Sequence, residues 1–206
     1  MGKGGDAGVP VGVLALQGDY ALHAAALGAL DRSVREVRTS HDLEGLSGLI
    51  LPGGESTTML KVMEGTDMEA ALTRFAGAGG ALFGTCAGII LLARGVTGPA
   101  QRSLGVLDVD VNRNGYGRQV DSFETELAWT EDSHPVRGVF IRAPRITRVG
   151  DGVRVLSERD GEPVLVRAGR ILAATFHPEL TDDRRLHRYF VETVMEAPAP
   201  APAEAT

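Results

Sequence analysis

The single cysteine of the chain, Cys86, lies in the pentapeptide GTCAG at 84–88, between an apolar strand-like run and an apolar helix-like run. Glycines two residues before and two residues after it allow a sharp turn without a Cβ clash. This is the cysteine counterpart of a nucleophile elbow, which lifts a reactive side chain above the carboxyl end of a sheet. The following helix would begin beside the sulfur, where its partial positive charge favours thiolate. A free cysteine is in general more often a buried core residue; the strand–turn–helix context tips the reading toward a nucleophile.

A second chemical pair follows a later apolar run: His177 and Glu179, in TFHPEL at 175–180. In an extended chain, residues two apart point the same way, and Pro178 disfavours the helical region for His177. A carboxylate beside an imidazole can fix its tautomer and stabilise the imidazolium, as the third member of a triad does. A surface histidine with a chance acidic neighbour is the bland alternative. The other histidines, His23, His41, His134 and His187, have no acid two residues on after a strand. His187 reads as a solvated residue on the polar face of a final helix, and His41 and His134 as loop residues.

A third segment, LPGGESTTM at 51–59, ends an apolar run with two glycines and opens a helix with hydroxyl residues. Adjacent backbone N–H groups there can form an oxyanion hole or bind a carboxylate. A plain loop with a helix cap would explain the same letters. No Gly-Lys-Ser/Thr follows, so the segment is not a P-loop.

The elements that must position these residues can be read from apolar patterning. Strands are expected at 11–16, 34–37, 48–51 and 81–83, and helices at 20–30, 56–63 and 67–77, with a further helix starting at 89–94. The order β-α-β-β-α-β-α predicts α/β architecture: a three-layer, mostly parallel central sheet with helices on both faces. Short runs at 106–111, 123–129, 139–142, 153–157, 164–167 and 171–176 predict a small antiparallel portion before a last strand rejoins the main sheet. A helix over 181–196 closes the chain. Residues 1–9 are expected to be a disordered lead-in, 10–196 one domain, and the Pro/Ala-rich 197–206 a disordered tail.

Composition narrows the classes. The 206 residues are 43% hydrophobic and 23% charged, enough for a sizeable core. A net charge of −6 leaves no electrostatic footprint for nucleic acid. No apolar stretch approaches the roughly 20 residues of a membrane helix, and the glycine-rich start lacks a signal-peptide apolar region. A cytoplasmic protein without membrane contact is the expectation. One cysteine excludes an internal disulfide and a thiolate zinc site.

PGGES, GTCAG and FHPEL in this order resemble the class I (triad) glutamine amidotransferase domain. LQGD at 16–19, LPGGESTTM at 51–59, FGTCAG at 83–88, GRQVDSF at 117–123, FIRAP at 140–144 and Ser157-Glu158 are similar to one branch of it, the glutaminase subunits of pyridoxal 5′-phosphate synthase. The similarity spans residues 11–195. It implies that Cys86, His177 and Glu179 form the catalytic triad. Gly53, Gly54 and Glu55 would bind glutamine and carry the oxyanion segment, with Gly54 and Ala87 as oxyanion donors. Arg113, Ile141 and Arg142 would contact L-glutamine. The resemblance also implies a separate (β/α)₈-barrel synthase subunit as partner in a large hetero-oligomer, and no metal or organic cofactor. One departure is that Ala21-Leu22 stands before His23 where the family often has an Arg-Glu pair. The rival readings are a glutaminase serving a different synthase, a silent scaffolding relative, and a cysteine hydrolase or redox chaperone sharing the elbow.

Overall fold

The computed structural model describes residues 9–114 and 122–198. The expected lead-in and most of the expected tail lie outside these residues, as do positions 117–121 of the GRQVDSF motif. In chain order the elements are β1 (Val11–Leu14), α1 (Tyr20–Gly28), β2 (Val34–Val37), β3 (Gly48–Leu51), α2 (Ser56–Met63), α3 (Met68–Gly77), β4 (Ala81–Thr85) and α4 (Ala87–Leu92). Then come β5 (Ala93–Thr97), β6 (Leu107–Asn112), β7 (Phe123–Trp129), β8 (Asp132–Phe140), β9 (Arg145–Val149), β10 (Arg154–Arg159), β11 (Glu162–Ala168), β12 (Ile171–Ala174) and α5 (Arg185–Tyr189).

The main sheet has the order β10-β11-β12-β4-β3-β1-β2. Its five strands from β12 to β2 run parallel, and β10 and β11 add an antiparallel edge. This is the expected three-layer α/β architecture, with β12 as the strand that rejoins the sheet. A sheet buried on both faces needs apolar residues at every position of its strands, and alternation sorts them. Leu14, Leu49, Leu51, Leu82 and Ala173 join α2, α3 and α4 in one core. Val13, Ile50, Phe83, Leu172 and Ala174 join Leu27 of α1 and Leu186 of α5 in the other. The small sheet β5-β6-β9 closes over the first core, and the β7–β8 hairpin over the second.

Several expected boundaries move. The helix expected at 89–94 stops at Leu92, and Ala93–Thr97 turns into a strand paired with β6. Gly95 permits this, since a Cβ there would sit 2.4 Å from Asp110 Oδ1. β9 was hidden by its arginines: Arg148 reaches Asp108 and Asp110 of β6 at 2.6 and 2.7 Å, and Arg145 pairs with Glu162. The strand expected at 139–142 is the end of the longer β8, and Arg142 beyond it has φ of 44°. The closing helix is shorter than 181–196; it consists of α5 followed by a π-helical turn, Phe190–Val194.

Two glycines make a matched test of this packing. A Cβ on Gly88 would lie 2.1 Å from the Leu51 carbonyl oxygen, whereas Gly77 has open space. Gly88→Ala should destabilise the fold by about 1–3 kcal/mol through overpacking. Gly77→Ala should be neutral or stabilise by up to about 0.5 kcal/mol. Urea midpoints of the two variants measure the contrast; equal midpoints would refute the close-approach argument.

Candidate active site

β4 ends at Thr85, and the next residue, Cys86, is the N-cap of α4 with φ 47° and ψ −103°. Positive φ in a residue with a Cβ is strained, of order 1–3 kcal/mol, and persists only where the surroundings over-determine it. Here they do. The Cys86 N–H donates to the Ala174 carbonyl at 2.9 Å. Gly84 lies against Gly88 and Leu92, and Gly88 against Leu51. The elbow glycines therefore serve close backbone approach, while the cysteine itself carries the left-handed turn. Cys86 is only 6% exposed, yet it lines a cleft of about 250 Å³ at the carboxyl rim of the sheet.

His177 follows β12. Its N–H donates to the Val139 carbonyl at 2.8 Å, which fixes the backbone in extended form. The ring lies over Gly53, where a Cβ would come within 2.3 Å of Cε1. Nδ1 is 2.7 Å from Glu179 Oε1. The expectation that both residues extend in one direction holds only for His177, because Pro178–Leu180 is a single 3₁₀ turn. That turn brings the Glu179 carboxylate back beneath the ring. With Nδ1–H donated to Glu179, Nε2 is left for the sulfur. Burial by itself would lower the His177 pKa; hydrogen bonding to Cys86 and Glu179, with their negative charge, outweighs it and pushes the value up to about 10. His177 is thus an imidazolium at neutral pH.

The PGG segment is clamped from β1's side. The Asp19 N–H donates to the Gly53 carbonyl at 3.2 Å, and the Glu55 N–H donates to Gln17 Oε1 at 2.7 Å. Gly54 has φ 142°, and a Cβ there would meet Gln17 Oε1 at 2.5 Å. Gln17 and Asp19 line the cleft together with Gly54, Glu55, Ser56, Arg113, Ile141, Arg142 and His177. Gly53 stands behind the His177 ring, and Ala87 opens α4 beside Cys86. From the sequence Asp19 reads as the N-cap of the helix over 20–30, and it does precede α1, though without a side-chain cap hydrogen bond; for Gln17 and Asp19 as cleft residues, their position at the end of the first parallel strand was the available signal.

The rim is charged in both senses. Arg142 pairs with Glu55 at 3.1 Å. Arg113 Nη2 donates to Thr57 Oγ1 at 2.7 Å, and its buried Nε has no partner among the described residues. An exposed ion pair such as Arg142–Glu55 contributes little to stability, so its groups are free to exchange for a zwitterion. The Cys86 sulfur also lies 3.9 Å from the Ile141 carbonyl oxygen.

Two histidines require correction. His187 is fully buried, not a solvated surface residue, and its Nε2 lies 2.9 Å from Nδ1 of the equally buried His23. His187 stands three, four and seven residues before Phe190, Val191 and Val194, so helical spacing puts it among the buried positions of this segment, where His23 of α1 packs against it. His134, read as a loop residue, lies in β8, where its side chain is exposed and pairs with Asp132; His41 is exposed and pairs with Glu44.

The strained cysteine elbow and the imidazole–carboxylate pair thus share one cleft at the rim of the parallel sheet. The model of the SNO glutamine amidotransferase family matches residues 13–196, and the chain belongs to that family. It is 56% identical over 184 residues to the pyridoxal 5′-phosphate synthase subunit PdxT of Thermus thermophilus, covering 88% of this chain and 96% of that one. It is 50% identical over 185 residues to PdxT of Thermotoga neapolitana, covering 89% and 98%. A solved structure described as a glutamine amidotransferase superposes with a TM-score of 0.85 at 52% identity, covering 91% of this chain and 99% of that one.

The raised His177 pKa is directly testable. In a side-chain ¹⁵N titration the ring should stay protonated through neutrality and lose its proton near pH 10. Glu179→Gln removes a negative partner that favours the charged form, so the midpoint must move down. An unchanged midpoint in the variant would refute the assignment of Glu179 as the ring's partner.

Proposed function

We propose that the chain is the glutaminase subunit of a pyridoxal 5′-phosphate synthase, converting L-glutamine and water to glutamate and ammonia through Cys86, His177 and Glu179. The observation that carries this reading is the meeting of the thiol and the His177–Glu179 hydrogen bond at one cleft whose rim holds Glu55, Arg113 and Arg142. The paired charges suit the α-ammonium and α-carboxylate of an amino acid, leaving its side-chain amide to reach inward. Family membership and the PdxT relatives support the same substrate and setting.

In the proposed reaction the Cys86 thiolate attacks the side-chain carboxamide carbon, forming the S–C bond. Backbone N–H groups of Gly54 and Ala87 stabilise the oxyanion. The His177 imidazolium gives its proton to the amide nitrogen, the C–N bond breaks, and ammonia leaves. Neutral His177 then takes a proton from water as the hydroxyl adds to the thioester. Collapse breaks the C–S bond, releases glutamate and restores the thiolate–imidazolium pair. Glu179 aligns the ring and balances its charge throughout. No step calls on a metal or organic cofactor.

Ammonia released into neutral water becomes ammonium, which is not a nucleophile. The reaction is therefore most useful against an acceptor enzyme, here a (β/α)₈-barrel synthase subunit in a hetero-oligomer. A thiol nucleophile suits the reducing cytoplasm. Among the described residues no helix is long and apolar enough to cross a membrane.

Glutaminase assays with and without the synthase subunit test the reading. Activity should require glutamine and rise on adding the synthase. Cys86→Ala should abolish it; surviving turnover would remove Cys86 from the chemistry. Arg142→Ala should raise KM for glutamine about tenfold with kcat within about threefold, the signature of lost ground-state binding. A loss confined to kcat would overturn the substrate-binding role.

A further inference from the structure

Behind the triad lies a second polar cluster that the mechanism above does not use. Glu179 is buried, and only one of its carboxylate oxygens, Oε1, is engaged by His177. The other, Oε2, has no hydrogen bond of ordinary length among the described residues; its nearest basic group is His23 Nε2 at 3.4 Å. The same Nε2 is 3.1 Å from Thr85 Oγ1, on the residue preceding the nucleophile. On its far side, His23 Nδ1 is 2.9 Å from His187 Nε2. His187 Nδ1 is buried with no partner among the described residues.

These contacts select one set of tautomers. One proton lies between His23 Nδ1 and His187 Nε2. If it belonged to His23, that ring's Nε2 would present a lone pair to the Glu179 carboxylate, and His187 would bury an unpaired Nδ1–H. The former sets two acceptors against each other, and the latter strands a buried donor, which loses its full hydration. If the proton belongs to His187, His23 Nε2–H faces Glu179 Oε2 and Thr85 Oγ1 together, and His187 Nδ1 is merely a buried, unprotonated nitrogen. Only the second arrangement gives each buried N–H an acceptor.

We infer that His23 is a positioning residue for the triad: held in one tautomer by His187, it donates its Nε2 proton to the second oxygen of Glu179 and so fixes the carboxylate on which His177 is aligned. This rests on the proposed glutaminase chemistry only for its activity readout. The donor must be uncharged, because a cation at His23 would compete with His177 for the carboxylate. Burial, then the neighbouring His187 and His177, hold the His23 pKa well below its usual value. Burial and Arg184, opposed by Asp183, push His187 down to about 4. Phe83 makes a T-shaped contact with each ring. Asp19 also lies near the triad ring, 3.8 Å from His177 Nδ1.

The test exploits amide geometry. Gln places its amide nitrogen where His carries Nε2, whereas Asn reaches only the Nδ1 position. In the full-length chain with its synthase partner, His23→Asn should lower kcat about 10–100-fold, as loss of an outer orienting partner typically does, with KM for glutamine within about twofold. His23→Gln should restore most of kcat. The His177 ring titration, measured without glutamine, should move down from about 10 in His23→Asn and return in His23→Gln. Near-ultraviolet circular dichroism selects the folded variants for comparison, and His187→Gln, which keeps an ε-position donor, should stay near wild type. Equal kcat and an unmoved His177 titration in folded His23→Asn would overturn the inference. A wild-type chain that fails to hydrolyse glutamine would instead defeat the proposed function, and the titration would still decide the role of His23.

Discussion

Parallel pairing of β3, β4 and β12 is the constraint from which the site follows. Leu51 of β3 pairs with Gly84 of β4, and Ala174 of β12 pairs with Thr85. Parallel strands joined by crossovers end at the same rim, and in open α/β sheets that rim is where ligands bind. The PGG segment, the thiol elbow and the His-Pro-Glu turn each leave one of these three neighbours. Residues 53, 86 and 177 are thereby brought together although more than a hundred positions separate the first from the last. Any sheet order that separated these three strands would scatter the same side chains.

Close backbone approach sharpens this arrangement from a shared rim into a reacting geometry. Gly88 lets α4 rest on the end of β3, and Gly53 lets the His177 ring pack closely against the loop. The left-handed backbone of Cys86 is the cost, and the elbow's hydrogen bond to Ala174 helps to hold it. Gln17, one strand further along, fixes the Glu55 end of the loop through a side-chain hydrogen bond rather than a ladder. The rigidity of the sheet is thus passed to loops that have no regular structure of their own.

Electrostatics divides the site into an inner and an outer part. The outer cleft carries Asp19, Glu55, Arg113 and Arg142, groups able to meet a charged amino acid. Inside, burial keeps His23 and His187 neutral while Glu179 and Cys86 hold a proton on His177. In a low-dielectric interior an unpaired polar group is expensive. The polar cluster behind Glu179 is consistent with that cost, because each buried N–H in the selected tautomers has an acceptor.

Local chemistry in the sequence was sufficient for the main elements of the parallel sheet, the elbow and the imidazole–carboxylate pair. Each of these depends on residues within a few positions: apolar runs closed by glycines, or a proline between a histidine and a glutamate. Apolar periodicity could not see β5 or β9. Their backbones pair through long-range contacts, and the side chains of β9 satisfy charges contributed by β6 and β11. His187 reads as solvated from its polarity alone, although it stands at helical spacing from Phe190, Val191 and Val194; it is buried among them and against His23 of α1. Which histidine stands behind the triad is a property of the contacts from His23 to Thr85 and His187, across 62 and 164 positions of chain. They exist only once the sheet has brought its strand ends together.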